Sequence, residues 1–212
     1  LYFDRLDEDK RKTHLNRISE QIKYTVKLLD QTMQLRHVQS GRIEFIPAQL
    51  DIKMFCMMIF DKMKFADNNK HIMQFICDAD SIEIYADASL IEHIVQNLLS
   101  NAIKYTPDGK SITMLIKQNV DAIIIQIADE GIGTPPQDIK RLFDPYHRAS
   151  NVGNIQGTGL GLAIVKEYVE LHGGSITCKS GVNIGSQFII QLPYNAITPA
   201  EKSNEEGVCP PR

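Results

Sequence analysis

The sequence predicts a two-layer α/β sandwich, with helices on one face of a mostly antiparallel sheet, preceded by one long amphipathic helix. Three observations carry this. Between Arg11 and Gln39 apolar residues recur at Leu15, Ile18, Ile22, Val26, Leu29 and Met33, in steps of three and four. After Gly41 the pattern changes to short strand-like runs interleaved with helical stretches. The later runs follow one another across turns, so the strands pair largely antiparallel and the helices segregate to one layer.

The first helix would be roughly 40 Å long at 1.5 Å per residue. It is too long and too one-sided to stand alone, so a helical partner in a bundle or coiled coil is expected; packing on its own domain is the alternative. Ser40-Gly41 supplies its stop signal. Strand-like runs at 42–46, 71–77 and 82–85 alternate with helical stretches at 51–66 and 88–104. Strands at Ser111–Gln118 and 122–128 flank the turn Asn119-Val120-Asp121. A further helix over 160–172 leads to a hairpin of 175–179 and 186–192. Residues 148–158 are polar, contain glycine and lack periodicity, so a mobile loop is expected there. Beyond Tyr194 a polar, proline-bearing tail reads as a linker. The expected organisation is 1–41 as the end of a helical hairpin, 42–194 as a globular domain and 195–212 as tail.

Bulk properties narrow the function. With 26 acidic against 23 basic residues the net charge is −3, which argues against a dedicated nucleic-acid binder. No apolar run approaches the roughly 20 residues that span a bilayer, and no signal-peptide pattern is present. Cys56, Cys77, Cys178 and Cys209 lack CxxC spacing, so structural zinc and a disulfide framework are not expected and a reducing compartment is. The chain opens at Leu1 without methionine, so a fragment of a longer protein is expected.

Three motifs carry chemistry. Asn97, Asn101 and Lys104 share one face of a helix whose other residues, among them Val95, Leu98, Leu99 and Ala102, are apolar. Polar groups in register on a buried-looking helix need a polar partner over them. The amide of Asn101 offers a hard oxygen suited to Mg²⁺, which keeps waters and phosphate oxygens around it. Lys104 could reach a phosphate, and Tyr105 could cover a base or ribose. A buried amide pair capping a loop is the bland alternative. Asp129 ends an apolar strand and is followed by Glu130-Gly131-Ile132-Gly133. A carboxylate there can accept from the exocyclic amine of adenine, where guanine would present a second acceptor. An unmet carboxylate costs about 1–3 kcal/mol, enough for roughly tenfold selectivity. Gly131 and Gly133 would let the backbone approach the base, although a bare DxGxG also occurs in ordinary turns. Gly157-Thr158-Gly159-Leu160-Gly161 opens a helix, where backbone N–H groups and the helix dipole favour phosphate. It is neither a GxGxxG fingerprint nor a Walker A loop, and alone it could be a hinge.

Taken in this order, the motifs resemble the catalytic half of sensor histidine kinases, within the wider class of ATPases that includes gyrase, MutL and heat-shock chaperones. NLLSNAIKYTP (97–107) is similar to that family's N box and DEGIG (129–133) to its first glycine box. LFDPYHR (142–148) resembles the F box, and GTGLGLAIVKEYVELHGG (157–174) the second glycine box with its helix. The resemblance implies a Bergerat-type ATP-binding fold. It implies that Asn101 holds Mg²⁺ with Asn97 beside it, and that Asp129 reads adenine with Ser186 supporting it through water. It further implies that Arg148 and the backbone of Gly157, Thr158, Gly159, Leu160 and Gly161 contact phosphates. Residues 145–157 would then be the ATP lid, anchored by Phe143.

In the hydrolases and serine kinases of this class a glutamate sits four residues before the Mg²⁺ asparagine. This chain has Asn97 there, and an amide is no general base. That favours transfer to histidine, which is already nucleophilic at neutral pH. The acceptor histidine should lie on a preceding helix, of which residues 1–12 would be the end. His14, His37, His71, His93, His147 and His172 do not fit the acceptor motif and are expected to be structural or surface residues. The fragment would bind ATP without phosphorylating itself. Implied partners are its own phosphotransfer helix, a response-regulator receiver domain and a second copy of the parent; nucleic acid is not among them. An ATP hydrolase of the same class and a nucleotide-binding scaffold are the alternatives. Thr134, His147 and Glu92 depart from the family's usual residues without removing a ligand.

Overall fold

The computed structural model describes residues 7–153 and 155–195. Helix α1 spans Glu8–Gln39. Asp7 caps it by accepting the Lys10 N–H at 2.8 Å, and Glu8 and Asp9 face the positive end of its dipole. Because Asp7 supplies that cap, residues 8–12 belong to α1 and not to the end of a preceding helix; residues 1–6 lie outside the described part. None of the helices among the described residues is long and apolar enough to cross a membrane.

α1 has two faces. Leu15, Ile18, Ile22, Val26, Leu29 and Met33 are each more than half exposed in the single chain. The opposite stripe, Tyr24, Leu28, Gln31, Leu35 and Val38, also runs in steps of four and three. It turns inward, with Leu35 and Val38 joining the core of the domain that follows. The periodic apolar row therefore does not mark the face that docks on this domain.

The strand expected at 42–46 does not form. Residues 42–47 have no regular structure, and β1 begins one residue past Pro47, at Ala48–Asp51. Proline has no N–H for a ladder, and the Ile46 N–H is already given to the Asp87 carboxylate at 2.9 Å. β1 pairs antiparallel with β3, Glu83–Ala86, in a small separate sheet.

The main sheet has the order β2-β4-β5-β7-β6. Its strands are β2 Ile72–Cys77, β4 Ser111–Gln118, β5 Ala122–Asp129, β6 Ser175–Gly181 and β7 Gly185–Pro193. β2 and β4 run parallel and every other pair antiparallel. Three helices cover one face: α2 Ile52–Asp67, α3 Ala88–Tyr105 and α5 Gly161–Leu171. Alternate residues Ile112, Met114 and Ile116 of β4 and Ile123, Ile125 and Ile127 of β5 are buried beneath them. A one-turn helix, α4 at Pro136–Ile139, went unread in the sequence because four residues show no periodicity.

Two buried histidines brace this layer. His71 Nδ1 lies 2.6 Å from Asp67 Oδ1 and Nε2 lies 3.0 Å from the Thr106 carbonyl, so both ring nitrogens face acceptors. Burial opposes charge on this ring, but the Asp67 carboxylate and the Thr106 carbonyl outweigh it and raise the His71 pKa. His172 is the reverse case. Its Nδ1–H donates to the Tyr168 carbonyl at 2.7 Å and its Nε2 accepts the Asp87 N–H at 3.1 Å, a pattern only the neutral ring can make. Burial holds its pKa below the usual histidine range.

Candidate functional site

A cavity of about 990 Å³ opens between α1, α3, the end of β5 and residues 147–161. It lies at the large end of the range for ligand pockets. α3 contributes the polar row. Ile94, Val95, Leu98, Leu99 and Ala102 bury its other side, which leaves Asn97, Asn101 and Lys104 facing the cavity. The start of α5 comes so close that a side chain at Gly161 would sit 2.4 Å from Asn97 Oδ1. With glycine at 161 the loop reaches Asn97 without displacing its amide, which joins the first and last of the sequence motifs. Lys104 Nζ donates to the Tyr105 hydroxyl at 2.9 Å and lies 4.5 Å from that ring's centroid, so the ammonium is held at the cavity wall.

Asp129 closes the opposite end. The register of the sheet sets it between Ile112 and Ser186. Its Oδ1 accepts the Gly131 N–H at 2.9 Å and the Ser186 N–H at 3.2 Å. Oδ2 has no hydrogen-bond partner among the described residues, which leaves one acceptor for a ligand that donates. Burial raises the Asp129 pKa, and the two N–H donors only partly offset it. Ser186 therefore supports Asp129 directly through its backbone. Its hydroxyl lies 2.9 Å from Ser180 Oγ, which donates to the Gly185 carbonyl and accepts the Thr134 N–H at 2.8 Å. At Gly133, φ is +64° and a Cβ would lie 1.8 Å from the Gly181 carbonyl oxygen, so this turn tolerates no side chain.

Most residues singled out in the sequence meet at this cavity: Asn97, Asn101, Lys104, Tyr105, Asp129, Gly133, Arg148, Gly157, Thr158, Gly159, Gly161 and Ser186 all line it. Three do not. Leu160 is fully buried, Phe143 packs against the core, and Gly131 stands behind the wall, touching the site only through its N–H to Asp129.

Further contacts shape the site, several of them through residues not singled out in the sequence: Asp138, Ser150, Asn151 and Gln31. Asp138 Oδ2 accepts both the Ser150 N–H and hydroxyl at 2.8 Å, and these bonds lower the Asp138 pKa. His147 Nε2 lies 3.6 Å from Asp138 Oδ1. Asn151 Nδ2 donates to the Gly133 carbonyl at 2.9 Å, and the Arg148 guanidinium donates to the Ile155 carbonyl. From α1, Gln31 accepts the Thr158 hydroxyl at 2.7 Å. A single signal could have found Gln31: it is the polar break in the stripe Leu28, Leu35, Val38.

A Mg²⁺ ion fits the donor set at Asn101, a half-buried amide one turn from Asn97 and beside Lys104. No cluster of three or more histidine, cysteine or acidic residues that could cage a metal is found among the described residues. An ion here would be shared with phosphate oxygens and water, as Mg²⁺ prefers.

Residues 86–196 match the family described as histidine kinase-, DNA gyrase B-, and HSP90-like ATPase. Among curated relatives, the sensor histidine kinase WalK of Bacillus subtilis is 33% identical over 175 residues, covering 80% of this chain and 28% of WalK. The sensor histidine kinase RcsC of Escherichia coli K12 is 34% identical over 129 residues, covering 60% of this chain and 14% of RcsC. The chain thus spans under a third of these relatives. Among solved structures, full-length ShkA in complex with AMPPNP superposes with a TM-score of 0.75 at 20% identity, over 89% of this chain and 40% of ShkA. The Acinetobacter baumannii histidine kinase AdeS gives 0.69 at 24% identity, over 90% of this chain and 86% of AdeS. At these identities the superpositions speak to the fold alone.

Proposed function

Because the chain belongs to the histidine kinase-, DNA gyrase B- and HSP90-like ATPase family, we propose that it is the ATP-binding catalytic part of a two-component sensor histidine kinase. The observation that carries this is the cavity in which Asn97, Asn101 and Lys104 face the 157–161 loop, with Asp129 at the far end. Asp129 Oδ2 accepts the adenine amine, and the backbone of 157–161 with Lys104 and Arg148 holds the phosphates. Asn101 holds Mg²⁺, which when bound neutralises phosphate charge and orients the γ-phosphoryl group. Asn97 holds position beside it but takes no proton, so water is not activated from that side and the phosphoryl group is kept for a histidine nucleophile.

That histidine lies on a phosphotransfer helix outside this chain. The exposed row from Leu15 to Met33 on α1 is the surface on which the parent pairs with that helix and with a second copy in a four-helix bundle. An aspartate on a response-regulator receiver domain is the onward acceptor, and the catalytic part works in the cytoplasm. The test is to extend the protein upstream through the missing helix and incubate it with Mg²⁺ and γ-labelled ATP. Label stable to base and lost in acid is the expected phosphohistidine. Good ATP binding with no label, or release of free phosphate in its place, would overturn the kinase reading.

A further inference from the structure

α1 lies wholly outside residues 86–196, the region that matches the ATPase family, yet it reaches the phosphate end of the cavity. Gln31 is only 9% exposed and sits on the inward stripe of α1, one turn before the core residue Leu35. Its Oε1 accepts the Thr158 hydroxyl at 2.7 Å, and the same Thr158 oxygen accepts the Leu160 N–H at 3.3 Å. Two turns earlier on the same stripe, the Tyr24 hydroxyl lies 3.5 Å from the Gly157 carbonyl, at the limit of a hydrogen bond. Two consecutive residues of the 157–161 loop are thus held from outside the family domain, at helix positions seven apart.

We infer that Gln31 is a positioning residue for the phosphate-binding loop, so that α1 completes a nucleotide site that the family domain alone leaves unfinished. This rests on reading the site as one for ATP. Residues 155–159 have no regular secondary structure to hold their N–H groups in place. A loop already fixed when the ligand arrives loses less freedom on binding, so the Gln31 bond raises affinity without touching the nucleotide. The gain belongs to the phosphates and not to adenine, because Gln31 acts only through Thr158. By reciprocity, a bound triphosphate favours the docked position of α1, and any displacement of α1 weakens the hold on the triphosphate.

The experiment is calorimetric titration with Mg²⁺-ATP and with AMP of the wild-type chain, Gln31→Ala, Thr158→Val and the double variant, each checked for folding by circular dichroism. Gln31→Ala is expected to weaken ATP binding about fivefold, the scale of one hydrogen bond, with AMP affinity changed less than about twofold. Thr158→Val also loses the bond from the Leu160 N–H, so the double variant should lose no more than Thr158→Val alone, the bond to Gln31 being already absent in each single variant. Unchanged or tighter ATP binding by Gln31→Ala, equal losses for ATP and AMP, or losses that multiply in the double variant would each overturn the positioning role. A folded wild-type chain that binds neither nucleotide would overturn the ATP reading itself and this inference with it.

Discussion

The two ends of the cavity are built by different means. At the Asp129 end the strand register does most of the work. Asp129, Ser186 and Ser180 sit on adjacent strands β5, β7 and β6, and their contacts follow from ladder pairing. At the 148–161 end there is no ladder. Single hydrogen bonds to remote elements hold an irregular segment: Ser150 to Asp138, Asn151 to the Gly133 carbonyl and Thr158 to Gln31. The first end is positioned by the fold as a whole, so a local change there should remove a contact without moving its neighbours. The second is positioned bond by bond, so changes far from the ligand should still be felt.

The largest effect is expected at the ladder-built end. Asp129→Asn keeps the shape but replaces an acceptor with a group that can present a donor to the adenine amine. ATP affinity should fall about tenfold or more in calorimetry; unchanged affinity would remove adenine reading from Asp129. The raised Asp129 pKa adds a sign. Because the acceptor is the ionised carboxylate, wild-type affinity should decline on acidification from above the ordinary carboxylate range, and the variant should lack that decline.

Next comes Asn101→Ala, whose mark is qualitative. Wild-type ATP binding should strengthen with added Mg²⁺, while the variant should bind alike with and without it. A Mg²⁺ response equal to wild type would show that the metal is held elsewhere.

Asp138→Ala sharpens the contrast. It contacts no ligand in the proposed pose, yet it holds both the N–H and the hydroxyl of Ser150. ATP affinity should fall severalfold, and amide exchange across 148–153 should speed up while that of 131–134 stays as in wild type. Equal protection in both proteins would mean the segment is held by other contacts.

The smallest effect concerns stability and not binding. His71 has a raised pKa, so its contribution is full below the ordinary histidine value of 6.5 and fades as pH rises through the folded-state value. Asp67 is lowered; although burial opposes it, the His71 bonds win, so its share is lost only as pH falls through that lowered value. Urea midpoints should therefore peak between the two and decline gently above neutral pH. His71→Gln should flatten the upper limb, and an upper limb identical to wild type would assign the brace no charge.

Much of this was legible in sequence because it depends on local spacing. Strand-like runs on either side of the turn Asn119-Val120-Asp121 placed β4 and β5, four-and-three spacing placed the polar row of α3, and the order of motifs pointed to the nucleotide site. α2 and α3 begin and end within a residue of the expected 51–66 and 88–104, and the structure shows Asp51 and Asp87 capping their starts. The failures have equally local causes. Residues 42–46 look like a strand, but Pro47 and the Asp87 carboxylate consume the bonds a strand would need. The apolar row on α1, for which the spacing predicts a helical partner, is by contrast exposed in the single chain, and the opposite stripe containing Gln31 docks on the domain.

By itself the sequence determined most of the elements, the sandwich class and which short motifs meet at the cavity, since hydrophobic periodicity and glycine placement act over a few residues. Only the tertiary structure decided which face of α1 docks, that Ser186 serves Asp129 through its backbone, and that Asp138 and Gln31 bond to the segment 148–161. Those outcomes depend on hydrogen bonds between residues up to 127 positions apart, where no local pattern reports which donor will meet which acceptor.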